Sequence, residues 1–100
     1  MATYSVKLMN KAVEDLDGIY DYIAAHLREP GTALNLVNRI EEGILSLEEM
    51  PYRCPERKVG IFANNGYRQL FIGNYTIIFR IQEQEKLVII VTIRYSPSQF

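Results

Sequence analysis

Tryptophan is absent, histidine and cysteine occur once each, and no apolar run approaches the thickness of a bilayer. The solitary Cys54 excludes an intramolecular disulfide, and a single histidine, His26, cannot complete a Cys/His zinc set. The longest apolar stretches, residues 75–79 and 87–93, fall far short of the roughly 20 residues a spanning helix needs, so no membrane segment is expected. Nothing at the start reads as a charged region followed by an apolar region and a small-residue cleavage site, and the expected location is the cytosol. There is no glycine-rich phosphate loop ahead of a helix and no Ser/His/Asp set, so neither a metal nor a nucleotide cofactor is expected.

What is present fits one globular domain over residues 1–100, with 48% hydrophobic and 23% charged residues. A net charge of −1 conceals an asymmetry. Residues 1–50 carry four basic against nine acidic side chains, whereas residues 51–100 carry seven against three. A pI near 5.8 lies below that of a dedicated nucleic-acid binder, yet the basic half can still meet an acidic partner.

The periodicity changes twice along the chain. Tyr4, Val6 and Leu8 alternate with Ser5 and Lys7, which predicts a strand over 3–9. From Asn10, a suitable N-cap, the spacing of Val13, Leu16, Tyr20, Ile23 and Leu27 predicts a helix. Pro30-Gly31 breaks it, and Thr32 is expected to cap a second helix with the stripe Leu36 or Val37, Ile40, Ile44 and Leu47, stopped by Pro51. So short a break forces the helices into an antiparallel hairpin. Residues 52–65 read as a loop with a short extended piece at 59–62. Then Tyr67–Phe71, Tyr75–Ile81 and Leu87–Tyr95 read as a three-stranded antiparallel meander, turning at Gly73-Asn74 and around Glu83–Glu85. The predicted class is α+β: strand, helical hairpin, meander.

Hydrophobic pattern is expected to set the first hairpin's register. A two-residue turn would mix Arg68 into the apolar set of Tyr75, Ile77 and Phe79. A three-residue turn with a bulge groups Tyr67, Phe71, Tyr75, Ile77, Phe79 and Ile81 instead, and is the expected form. The helices cover that face. The other, carrying Arg68, Leu70, Thr76, Ile78, Arg80, Val88, Ile90, Thr92 and Arg94, is expected to stay open for a bound protein segment, or for a second copy in a homodimer.

Specific residues within this order are similar to the RelE/ParE toxin superfamily. Ala12-Val13-Glu14-Asp15-Leu16 with Ile19 and Tyr22-Ile23 resembles its first-helix signature, and Leu47–Pro51 resembles the close of its second helix. Gly66-Tyr67-Arg68-Gln69-Leu70, residues 75–81 and Val91-Thr92-Ile93-Arg94-Tyr95 resemble its three meander strands. The resemblance spans nearly the whole chain. It implies a toxin of a type II toxin–antitoxin system of the plasmid-stabilization kind, held inactive by a cognate antitoxin whose partly disordered tail folds on contact, and encoded in an operon repressed by the complex. A heterotetramer with the antitoxin is one form such a complex takes. Some members of the superfamily cut messenger RNA on the ribosome, while the ParE branch inhibits DNA gyrase without hydrolysis.

Cutting RNA through its 2′-hydroxyl needs a base, an acid and cations to hold the charge that builds on the phosphate. Arg68, Arg80 and Arg94 are the candidate cations and Tyr95 the candidate acid or base, although a phenol near its ordinary pKa of about 10 is a weak base at neutral pH. Each residue also has an ordinary reading: solvated or antitoxin-paired arginines, and a tyrosine capping a sheet edge. His26 reads as solvated at a helix end, Cys54 has no histidine beside it, and Arg53, Arg57 and Lys58 read as solvated loop charges with reach toward a ribosome or nucleic acid. Thr76 and Leu70 stand where RNA-cutting relatives tend to carry basic residues, and residues 96–100 stand where a histidine and basic residues often lie. These departures and the acidic pI favour the ParE branch, with a ribosome-dependent endoribonuclease and an inactive antitoxin-binding homologue as the alternatives.

Overall fold

A computed structural model describes residues 3–96. The alternating segment forms β1 (Ser5–Leu8), shorter than expected because the Tyr4 amide turns away to the Glu48 carbonyl at 2.8 Å. Helix α1 (Asn10–Asp21) starts with Met9 in the cap position. It runs into a wider π-helical turn, Tyr22–His26, where the Leu27 amide reaches the Tyr22 carbonyl five residues back. The packed stripe is Ala12, Leu16, Ile19 and Ile23, whereas Val13, Tyr20 and Leu27 of the expected stripe are exposed. The helix meets the core through fully buried Ala12, so its inward face is rotated by about one residue.

Helix α2 (Pro30–Leu45) begins two residues before Thr32, since proline at the first helical position has a suitable φ and no amide to leave unsatisfied. Of its expected inward stripe, Ile40 and Ile44 are buried and Leu47 follows in a 3-10 turn (Ser46–Glu48), with Ala33 buried in addition. Met50 takes a left-handed φ of 51°, and a second 3-10 turn covers Pro51–Arg53. The Arg53 guanidinium then donates to the carbonyls of Ser46, Glu49 and Met50 at 3.3, 2.8 and 3.2 Å, a cationic cover for the helix end.

Strands β2 (Arg68–Ile72), β3 (Tyr75–Gln82) and β4 (Leu87–Tyr95) form the antiparallel meander, and β1 joins parallel to β4, giving the order β1-β4-β3-β2. The first hairpin uses the two-residue turn: Ile72 faces Tyr75, and Gly73 has φ +58°, as the first central residue of a type II′ turn requires. Leu70 and Ile72 therefore share the helix side with Tyr75, Ile77, Phe79 and Ile81, and Phe71 lies on the far side, exposed. Helix α2 lies directly over this strand, since a Cβ on Gly43 would come within 2.8 Å of Ile72 Cδ1.

Strand β4 carries a bulge: Ile78 faces Thr92 and Phe79 faces Ile90, so Val91 has no opposite residue. Val88 and Ile90 sit in the core under the helices, fully buried, and are not on the open face predicted for them. The far side is also less open than expected. Gln69, Thr76, Ile78 and Ile89 are buried there, leaving Phe71, Arg80 and Arg94 exposed. Part of the cover comes from residues 54–66. Glu56 bridges to Arg68, and the Gln69 amide donates to the Pro55 carbonyl at 3.1 Å. Arg57, expected as a solvated loop charge, is only 1% exposed and donates to Gln69 Oε1 and the Ile61 carbonyl at 2.9 and 2.8 Å. Residues 59–62 turn instead of extending. Among the described residues no helix is long and apolar enough to cross a membrane.

Candidate functional site

A groove of about 670 Å³ lies between α1, the π-helical turn and the ends of β3 and β4. Ile19, Ile23, Leu27 and Ile93 make its apolar floor, and Tyr22, Tyr75, Tyr95 and Glu14 stand around it. The Tyr75 and Tyr95 rings meet edge to face with centroids 5.3 Å apart. Tyr22 stacks on His26 at 5.2 Å, so the histidine packs against a ring at the end of the turn. Burial, with the neighbouring phenols of Tyr95 and Tyr22, pushes the Tyr75 phenol above its ordinary pKa. Tyr22 and Tyr95 are 56% and 62% exposed, more than tyrosines that only fill a core.

One carboxylate fixes the groove wall. Strand β1 ends at Leu8 while β4 runs on to Tyr95, so the last residues of β4 have no strand beside them on that edge. Asp15 takes the strand's place: its Oδ2 accepts from the Ile93 amide at 3.1 Å and from the Thr92 hydroxyl, and its Oδ1 accepts from Lys11. Burial alone would raise this carboxyl's pKa, but the bonds from Lys11, Thr92 and Ile93 outweigh it and hold the group below its ordinary value.

The sequence-predicted residues do not converge. Arg68 pairs in register with Phe79 and Tyr95 with Tyr75, both on the helix side but four residues, roughly 13 Å, apart along β3. Arg80 and Arg94 lie on the far side, opposite Ile89 and Thr76, again four residues apart. Arg68 is engaged elsewhere. It donates to the Cys54 carbonyl at 2.6 Å, lies 3.8 Å from Glu56 and sits 5.0 Å over the Tyr52 ring. Cys54 is buried, and burial raises its thiol pKa, which fits an inert core residue.

That end of the sheet holds a polar tie that sequence reasoning missed. The Tyr4 and Tyr52 hydroxyls both donate to Glu83 Oε1, at 2.7 and 2.8 Å, and Lys86 pairs with Oε2. These bonds, that of Lys86 foremost, depress the Glu83 carboxyl from 4.5 to about 2. The groove's Tyr22, Tyr75 and Glu14 were also missed as a group. Alternation marks Tyr75 as inward-facing, and the exposed Tyr22 beside Ile23 is the signal that could have drawn attention to the groove.

A strand, a helical hairpin and an antiparallel meander in one mixed sheet are the architecture that the resemblance to small RelE/ParE toxins implied. The family model described as the ParE toxin of the type II toxin–antitoxin system parDE matches residues 6–99. The chain belongs to this ParE toxin family. Among solved structures it is similar to a chain of the chromosomal ParDE system from P. aeruginosa, with 28% identity, 96% of this chain and 99% of that chain covered, and a TM-score of 0.78. A chain of the RelBE2 toxin–antitoxin complex from Mycobacterium tuberculosis shares the fold at 20% identity and a TM-score of 0.64, covering 98% of this chain and 97% of that one. No curated protein sequence matches. Of the terminal segment 96–100, residues 97–100 lie outside the described residues.

Proposed function

We propose that this toxin is neutralised by a cognate antitoxin and acts on a large protein target such as DNA gyrase, without cutting RNA. The observation that carries the reading is the scatter of the candidate RNA-cutting set. Arg68, Arg80, Arg94 and Tyr95 occupy opposite ends and opposite sides of the sheet. Phosphoryl transfer needs its cations and proton-transfer groups within about 3 Å of one reacting centre. A scattered set cannot assemble them, whereas a binding surface can use exposed groups wherever they stand. Arg80 and Tyr95 are exposed, whereas Arg68 is held within the chain.

The ribosome-dependent nuclease keeps one supporting point, the basic charge of the second half of the sequence. Purified toxin added to a gyrase supercoiling assay and to a translating ribosome extract separates the readings. The expected outcome is inhibited supercoiling with intact messenger, relieved by antitoxin. Cleaved messenger with unimpaired gyrase would reverse the assignment, and normal growth on expression without antitoxin would favour an inactive homologue.

A further inference from the structure

We infer that the groove between α1 and the end of β4 receives an apolar segment of the antitoxin bearing a lysine or arginine, whose cation is seated among Tyr22, Tyr75 and Tyr95 and neutralised by Glu14. The inference rests on the antitoxin reading above and adds the chemistry of the segment. It runs against the sequence-based picture, in which an acidic segment meets the arginines of an open face.

Among the described residues, the groove's charged lining consists of Glu14 and Asp15, with no lysine or arginine. Asp15 is already engaged by Lys11, Thr92 and Ile93. Glu14 is exposed and takes part in none of the ion pairs among the described residues. Three phenol rings border the same space, two of them in edge-to-face contact. Rings present a negative face to a cation, and a carboxylate nearby adds charge complementarity, so the lining suits an ammonium or guanidinium better than a carboxylate. Helix α1 itself carries Glu14, Asp15, Asp17 and Asp21 against Lys11, a balance that disfavours an acidic segment beside it. Ile19, Ile23, Leu27 and Ile93 supply the apolar contact that a lone cation would not use.

The test titrates purified toxin with its antitoxin at two salt concentrations. Glu14→Lys is expected to weaken binding about tenfold or more, and Tyr22→Ala and Tyr95→Ala about fivefold to tenfold each. Glu14→Gln loses less, and its deficit shrinks at high salt. A Lys or Arg→Glu change in the antitoxin segment restores affinity to Glu14→Lys. Wild-type affinity in Glu14→Lys and both tyrosine variants overturns this inference and leaves the antitoxin reading standing. Failure of the antitoxin to bind wild-type toxin overturns the reading itself. The chain's own end is the competing occupant. Removing residues 97–100 is expected to leave the Tyr22 and Tyr95 ring resonances unshifted, and a shift matching the one the antitoxin produces would place that end in the groove instead. Urea midpoints report folding for each variant, and Glu14→Gln carries the charge test should Glu14→Lys fail to fold.

Discussion

The two ends of the sheet use the same residue types to different purposes. At one end Tyr4 and Tyr52 aim their hydroxyls at Glu83, Lys86 closes the pair and Arg68 lies over Tyr52, so rings, carboxylate and cations satisfy one another within the chain. At the other, Tyr22, Tyr75 and Tyr95 border a groove beside Glu14, and no lysine or arginine lines it among the described residues. What distinguishes a structural cluster from a binding surface here is not composition. It is whether the complementary charge belongs to the same molecule.

Substitutions at five positions probe this contrast, from the largest expected effect to the smallest. The contrast presumes the two-residue hairpin register, so Leu70→Ala, which empties a position against the core, should cost about 2 kcal/mol in urea unfolding, and Phe71→Ala less than about 0.5. Equal losses would mean that the register, and with it the placement of both ends, is wrong. Asp15→Ala strands the Ile93 amide and the Thr92 hydroxyl, for an expected loss of about 2 kcal/mol together with faster hydrogen exchange at Ile93. Asp15→Asn retains an acceptor and should recover part of it.

At the closed end the signature is acid dependence. Glu83 has its folded-state pKa depressed from 4.5 to about 2, so what the tie contributes is present in full above pH 4.5 and is lost as pH falls toward 2. Glu83→Gln should flatten that part of the stability profile measured by thermal unfolding, and an unchanged profile would mean that the tie adds nothing. Tyr95→Ala should leave stability within about 0.5 kcal/mol of wild type while weakening antitoxin binding. A large stability loss would make the groove's tyrosines structural after all.

The element order was readable because each segment has a clear period: two in β1 and the meander, near 3.6 in the helices, with proline and glycine between them. The register was not. The objection to the two-residue turn was that it puts Arg68 among apolar residues. Arg68 opens β2 at the margin of the core, where its guanidinium finds the Cys54 carbonyl, Glu56 and the Tyr52 ring, so its charge is accommodated. A pattern rule that treats a strand as uniformly buried cannot see that its first residue overhangs. The rotated face of α1 was hidden for a similar reason, since a buried alanine gives little hydrophobic signal though it decides which side docks. Arg57 looked solvated because its partners, a glutamine side chain and a loop carbonyl, leave no mark in the sequence. The groove needed the fold, as its walls come from residues 14–27, 75 and 93–95.

The unpaired Val91 acts as a frameshift within the sheet. Before it, Val88 and Ile90 point under the helices; after it, Ile93 and Tyr95 do, a sequence of odd and even positions that an unbroken ladder could not deliver. Were Val91 instead paired with Ile78 in an unbroken ladder, the strand's last residues would be inverted, with Arg94 opposite Tyr75 and Tyr95 on the other surface. The groove would exchange its aromatic wall for a positive charge, and the surface it offers a partner would change sign without any contacting residue being replaced.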